Sequence, residues 1–391
     1  MTENNTMKNL EIYLHIPFCV QKCAYCDFLS APAGLGTQEQ YMQALLQEIQ
    51  GRAKEYEAYR VSTVFIGGGT PSVVNPQWIE RLLDTLRSCY RISPEAEITM
   101  EANPGTIDAA SLAIYHRAGI NRLSLGLQST WDQELRALGR IHTWQQFLDA
   151  YEAAVTAGFH HINVDLMSGL PGQTPITYET TLRRVAELSP PPEHISAYSL
   201  IVEEGTPYAE RYAAGELLLP QEETERKLYE LTGRILQEYG YERYEISNYA
   251  KAGCGCLHNI GYWTRENYLG FGIGAASMVE NVRFQNGKGL QQYIQDPLEQ
   301  REEPEYLSVE EQMEEYLFLG LRLTRGISVT GFYETFHYEL EQIYEKAIRK
   351  HIREGLLSYT DGAEGRYLHL TERGLDLADY VMTDFMEPEL P

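Results

Sequence analysis

The sequence predicts an α/β fold: an open, partial (β/α)6 barrel followed by a mainly helical, winged-helix-like module. Three observations carry this. Six strand-length apolar runs in the first 240 residues are separated by segments of helical period, which implies a parallel sheet covered by helices. Polar and glycine residues gather at the C-terminal ends of those runs, where such barrels place their ligands. From about residue 305 onwards the alternation gives way to helices with one hairpin.

Taken in order, the expected strands are 11–18, 62–66, 97–102, 122–127, 161–166 and 194–200. Helical patterns lie between and after them, at 41–49, 79–90, 108–118, 144–157, 178–188 and 222–239. Six units are two short of a closed eight-fold barrel, hence the partial one. The organisation read from this is a barrel over 1–240, a less regular segment with a linker over 241–304, and a helical module over 305–391. In that module, 309–323, 329–336 and 339–354 read as helices, 355–370 as a hairpin, and 372–382 as a final helix capped by Thr371.

Composition narrows the function. The chain has 391 residues, is 43% hydrophobic and carries a formal charge of −24. Nucleic acid or an anionic membrane surface would be repelled, so neither is an expected partner. No stretch approaches the ~18 apolar residues of a membrane span, and the first ten residues lack a signal peptide's apolar core. Six cysteines, at 19, 23, 26, 89, 254 and 256, read as the reduced thiols of a cytoplasmic protein rather than a disulfide framework. Cys89 falls in a helical pattern and reads as a packing residue. Tyrosine is abundant, at 28 residues, but carries no specific meaning by itself.

The chemistry concentrates where the first strand ends. Pro17 stops that run, so Cys19, Cys23 and Cys26 sit in a loop. A structural zinc ion usually takes four protein ligands. Three thiolates on one tight loop suit a [4Fe-4S] cluster with one iron left open. Three unrelated thiols, or a zinc ion with a distant fourth ligand, are the alternatives. The second strand ends in Gly67-Gly68-Gly69-Thr70-Pro71, whose backbone can approach a ligand closely. Glu101, Gln128 and Asp165 close the next three strands, and Arg140 opens a helix. An arginine there can pair with a carboxylate as a fork, and carboxylates suit hydroxyls or a cation. His15 and His142 read as packing histidines near the mouth.

The C-x3-C-x2-C spacing resembles the signature of the radical S-adenosylmethionine (SAM) superfamily, in which SAM chelates the open iron. With Tyr13, His15–Cys19, Cys26-Asp27-Phe28, Gly67–Ser72, Glu101, Gln128, Arg140 and Asp165, the chain resembles the oxygen-independent coproporphyrinogen III oxidase family over almost its whole length. That resemblance implies Cys19, Cys23 and Cys26 as cluster ligands. It implies Tyr13, Tyr25, Gly68, Gly69, Thr70, Glu101, Gln128, Arg140 and Asp165 as SAM contacts, with Ile201 a weaker carry-over.

The family holds an oxidase branch and a haem-chaperone branch. The oxidases carry a further cysteine where Phe28 stands here, and a long extension where only 18 residues precede Cys19. The chaperones carry His-Asn-x-x-Tyr-Trp, present here as His258-Asn259-Ile260-Gly261-Tyr262-Trp263. Physically, His258 offers an axial nitrogen to haem iron, while Tyr262 and Trp263 offer aromatic faces to the porphyrin. Cys256 is a second candidate ligand and Cys254 reads as incidental. The expected function is therefore a haem-binding chaperone that passes haem to recipient haem proteins such as respiratory enzymes. No residue is assigned a catalytic role. The alternative is a coproporphyrinogen III dehydrogenase, decarboxylating two propionates oxidatively. RNA modification is disfavoured by the acidic composition. A homodimer is suggested by the resemblance alone.

Overall fold

A computed structural model describes residues 7–362, 365–386 and 388. Its centre is built from β1 (Lys8–Ile16), α1 (Leu35–Arg52), β2 (Tyr59–Gly68), α2 (Pro76–Cys89), β3 (Arg91–Ala102), α3 (Ala109–Arg117), β4 (Arg122–Gln128), α4 (Asp132–Leu138), α5 (Trp144–Thr156), β5 (His161–Ser168), α6 (Pro175–Ala186) and β6 (His194–Ser199). The six strands pair in chain order, each parallel to the next. Helix starts are set locally. Asp108, Thr143 and Thr174 each accept a backbone N–H from the third residue of the following helix, and that residue's side chain reaches back.

Side chains alternate across each strand, and the two faces differ in chemistry. Ile12, Leu14, Val64, Ile66, Leu123, Leu125 and Val164 point outwards into the main hydrophobic core, with Leu45, Ile49, Leu82, Leu86, Phe147 and Leu182 of the covering helices. The inward set is polar: Glu11 and His15, Thr63, Glu97 and Glu101, Arg122 and Ser124, Asn163 and Asp165. The hydrophobic effect thus holds the helices on the sheet, while the barrel interior is reserved for groups that need partners.

The segment read as irregular carries ordered structure. It follows α7 (Pro207–Ala213) and α8 (Glu222–Glu238) with β7 (Glu242–Arg243), β8 (Asn248–Ala250), α9 (Leu257–Trp263), β9 (Tyr268–Phe271), β10 (Ala276–Val279), β11 (Val282–Gln285), α10 (Leu290–Gln295) and β12 (Glu305–Tyr306). These strands extend both edges of the barrel sheet, giving the order β12-β11-β10-β9-β1-β2-β3-β4-β5-β6-β8-β7. Buried Glu48 of α1 fastens the extension. It accepts from Gly272 N at 2.9 Å, Asn286 Nδ2 at 2.7 Å and the Tyr293 hydroxyl at 2.6 Å.

The C-terminal module comprises α11 (Val309–Gly320), β13 (Ile327–Ser328), α12 (Val329–Phe336), α13 (Leu340–Arg353), β14 (Leu357–Gly362), β15 (Gly365–Leu370), α14 (Glu372–Asp376) and α15 (Ala378–Thr383). It has its own core around Leu317, Phe332, Ile343, Leu368 and Phe385. A three-stranded sheet of order β13-β15-β14 beside the helices makes it winged-helix-like. The single final helix expected from the sequence is two short ones, broken at Leu377.

Helix α9 plugs the barrel from its N-terminal end. Glu97 of β3 accepts N–H groups from Leu257 and His258, both at 3.2 Å, and faces Arg122 at 3.6 Å. Gly261 presses on Glu11 of β1, and a Cβ there would lie 2.0 Å from the carboxylate. Gly261→Ala must therefore push α9 off its seat, at a cost of about 1–3 kcal/mol. Chemical denaturation checks this: a lowered midpoint is expected, and an unchanged one would mean α9 is not seated there.

Candidate functional site

The opposite end of the barrel is open. A cavity of about 460 Å³ is lined by Cys19, Cys23 and Cys26 together with Tyr25, Gly68, Gly69, Thr70, Glu101, Gln128, Arg140 and Asp165. The three cysteines are free and half-buried. Their loop is fixed at both flanks. Ala24 N donates to Leu138 O at 3.1 Å, at the end of α4, and Ala24 O accepts from Tyr208 N at 3.0 Å, in α7. Cys19 N donates to Ala31 O at 3.2 Å, closing the loop on itself.

The glycine run packs directly on this loop. Thr70 N donates to Phe18 O at 2.7 Å, and a Cβ on Gly69 would lie 2.6 Å from that same oxygen. Gly68, at φ +116°, turns its N–H to Glu101 Oε2 at 3.1 Å. Thr70 also reaches Cys19 Sγ at 3.8 Å.

Two buried carboxylates and one buried guanidinium set the electrostatics. Burial, then the neighbouring Asp165, pushes the Glu101 carboxyl up to about 8. Burial also raises Asp165, against hydrogen bonds from Asn163 at 2.7 Å and Ser124 at 3.1 Å. Arg140 donates to Gly126 O and Asn103 Oδ1, and to Cys23 Sγ at 3.8 Å, while its Nε has no hydrogen-bond partner among the described residues. Gln128, held at φ +73°, accepts from the Tyr198 hydroxyl at 3.0 Å.

These residues fit a [4Fe-4S] cluster and SAM. Three thiols line one cavity. Burial holds both carboxyls up, and the positive charge of a sulfonium or an ammonium would favour their ionised form. Arg140 has a donor to spare for a carboxylate, and the glycines leave room for close backbone approach.

Eight of the nine residues expected to contact SAM line the cavity; Tyr13 does not. It lies one layer below, its ring stacked on Phe65 and its hydroxyl 3.0 Å from His15 Nδ1. His15 in turn uses Nε2 on Leu29 O, at 3.0 Å, so it packs beneath the loop. His142 is buried behind Arg140, and burial with that guanidinium holds it down to about 3. Sequence reasoning passed over Asn103, which bridges Thr70 (2.9 Å) and Arg140. Its place two residues after Glu101 was the available signal. Tyr198, at the end of β6, was legible by the same strand-end rule.

The His258–Trp263 hexapeptide is α9 itself, plugging the far end of the barrel. His258 is buried, and burial holds its imidazole down to about 3, so it is neutral. Its Nδ1 lies 2.7 Å from the Thr63 hydroxyl and its Nε2 lies 3.1 Å from the Tyr262 hydroxyl. Hydroxyls donate or accept, so either neutral tautomer satisfies both. Tyr262 is wedged between His258 and Tyr268, and Trp263 lies under the Arg322 guanidinium at 4.3 Å. Cys256 is buried with its thiol 3.4 Å from Glu97, and burial and that carboxylate raise it well above the usual thiol range. Asn259, the next residue of the motif, lines the cysteine cavity. The cavity therefore runs down the barrel as far as α9.

Comparison with known proteins agrees with this architecture. Residues 13–185 match the radical SAM superfamily model, and residues 307–377 match the HemN C-terminal domain. The chain is 36% identical to the heme chaperone HemW of Lactococcus lactis, covering 96% of each protein. It is 41% identical to the heme chaperone HemW of Escherichia coli, over 72% of each. Among solved structures, coproporphyrinogen III oxidase from Escherichia coli superposes with a TM-score of 0.82 at 25% identity, covering 97% of this chain and 90% of that one.

The charge balance of the cavity is testable. Glu101 takes up its proton more readily in the fold than in the unfolded chain, from 4.5 to about 8. Its contribution to stability is present below pH 4.5 and is lost as pH rises through 8. In reconstituted, SAM-free protein, the melting temperature of wild type should fall more steeply between pH 5 and 8.5 than that of Glu101→Gln, as read by differential scanning fluorimetry. Added SAM should then stabilise wild type and leave the variant nearly unmoved. Parallel pH profiles would remove Glu101 as the source of that pH dependence, and equal stabilisation of both proteins by SAM would remove it from the cation site.

Proposed function

The chain belongs to the HemW family within the radical SAM superfamily, and on that premise we propose that it binds haem and passes it to recipient haem proteins. The observation that carries the reading is similarity to named heme chaperones along 96% of the chain. Phe28 supports it. This side chain borders the cysteine cavity, 64% exposed, where the oxidase branch is expected to carry a further cysteine. Respiratory enzymes are the proposed class of recipient. Among the described residues no helix is long and apolar enough to cross a membrane, so contact with a membrane-bound recipient would run through that recipient.

Cys19, Cys23 and Cys26 would hold the cluster, and Glu101, Gln128, Arg140, Asp165, Thr70 and the glycine run would hold SAM. Together those groups would supply one-electron reduction of a sulfonium. The protein's own part at that end is positioning: Arg140 and Asn103 tie the cysteine loop to the glycine turn, and the buried carboxylates attract a cation.

Haem ligation falls to His258. With Nδ1 donating to Thr63, the lone pair of Nε2 faces Tyr262, which masks it. A second partner that fixes the tautomer is the usual companion of an imidazole ligand. Iron would take the place of the Tyr262 hydroxyl, which requires the Tyr262 end of α9 to leave its seat. The wedged ring explains why the free protein keeps the nitrogen covered.

An anaerobic haemin titration, followed at the Soret band, tests both parts. Wild type should saturate near one haem per chain. His258→Ala should bind at least about tenfold more weakly, and Tyr262→Phe, which unmasks Nε2, should bind more tightly. Equal uptake by all three proteins would sink the assignment. Conversion of coproporphyrinogen III by the wild type would move the chain to the dehydrogenase reading.

A further inference from the structure

Three ligating side chains meet at the closed end of the barrel, remote from the cysteine loop and used by nothing described above. His161 opens β5, Glu193 precedes β6, and Cys254 stands in the turn between β8 and α9. His161 Nδ1 lies 2.5 Å from Glu193 Oε2, and one ligand atom from each of the three residues lies within 4.8 Å of the others.

The three come from separate segments, and each segment is pinned by its backbone. His161 is in register with Arg122 in the β4–β5 ladder. Glu193 O accepts from Lys251 N at 2.8 Å, and Cys254 N donates to Lys251 O at 2.9 Å. Arg122 reaches across to donate to Cys254 O at 2.9 Å. The cluster is therefore held by the strand ends rather than by three mobile side chains meeting on a loop.

We propose that His161, Glu193 and Cys254 form a binding site for a thiophilic divalent ion of the zinc class, with water in the fourth position. An imidazole, a carboxylate and a thiolate are the donors such an ion takes, whereas magnesium and calcium require oxygen ligands. Bond lengths of about 2.0–2.3 Å place tetrahedral ligand atoms roughly 3.3–3.7 Å apart, so the His161–Glu193 pair must open by about 1 Å, and Cys254, already within 4.8 Å of both, needs an adjustment of the same order. The side chains of His161 and Glu193 are 53% and 32% exposed, which leaves the ion a path from solvent. Binding displaces the proton of the Cys254 thiol into solvent. A bound ion would tie the starts of β5 and β6 to the turn that feeds α9, and so stiffen the seat of that helix. The inference rests on this geometry and stands apart from the haem reading.

The test is residue-resolved alkylation of the full-length, cluster-reconstituted protein by iodoacetamide under anaerobic conditions, with and without zinc chloride. Zinc should slow labelling of Cys254 by at least about tenfold, because a metal-bound thiolate is a poor nucleophile towards the reagent. The protection should vanish in His161→Ala and in Glu193→Gln, both at exposed or half-exposed positions. Elemental analysis should find one zinc more per chain in wild type than in Cys254→Ser. Labelling at one rate with and without zinc, in wild type alone, would overturn the proposal. So would protection that persists in both partner variants, which would reduce the site to a single thiol.

Discussion

The carboxylate of Glu97 holds this barrel closed at its lower end. It points into the barrel opposite Arg122 and takes the first N–H groups of α9 on both of its oxygens. An open barrel with a polar lining cannot fill its own interior with aliphatic side chains. Something must enter and satisfy Thr63 and Glu97, and α9 does so with His258 and its first N–H groups, while Gly261 leaves room for the Glu11 carboxyl. Removing one member of a buried ion pair costs about 3–5 kcal/mol, so Glu97, Arg122 and α9 stand or fall together.

That arrangement gives the barrel two ends with different work. At the mouth, cysteines, glycines and buried carboxylates surround a cavity suited to a cluster and a cationic cofactor. At the floor, a neutral histidine is enclosed by hydroxyls and aromatic rings. Asn259 faces the first and His258 the second, although they are neighbours on one helix. A shift of α9 that exposes His258 must therefore move Asn259 in the wall of the cysteine cavity. This is a direct mechanical link between the cysteine cavity and the seat of His258.

Much of this was legible from residues alone. Each of the six barrel strands was recognisable because its apolar residues form a strand-length run between helical patterns, as in Ile12-Tyr13-Leu14-His15-Ile16. The cysteine loop and the strand-end groups followed from where those strands stop. The edge strands β7 to β12 were not legible. They are two to four residues long, too short to show a period, and they are held by distant partners such as β1, which pairs with β9, and the buried Glu48. The place of the His258 motif was hidden for a similar reason. Nothing in a hexapeptide says that its glycine will lie against Glu11, some 250 positions earlier. Cys254 read as incidental because its neighbours His161 and Glu193 are far away in the chain.

The central claim is that one chain carries a SAM chamber and a haem site together, at opposite ends of one barrel. The most direct measurement is equilibrium haem binding to the cluster-reconstituted protein in the presence of saturating SAM, with both ligands counted per chain. The account predicts a ternary complex holding one haem and one SAM. Displacement of either ligand by the other would contradict it, and would place haem in the cysteine cavity instead of at α9.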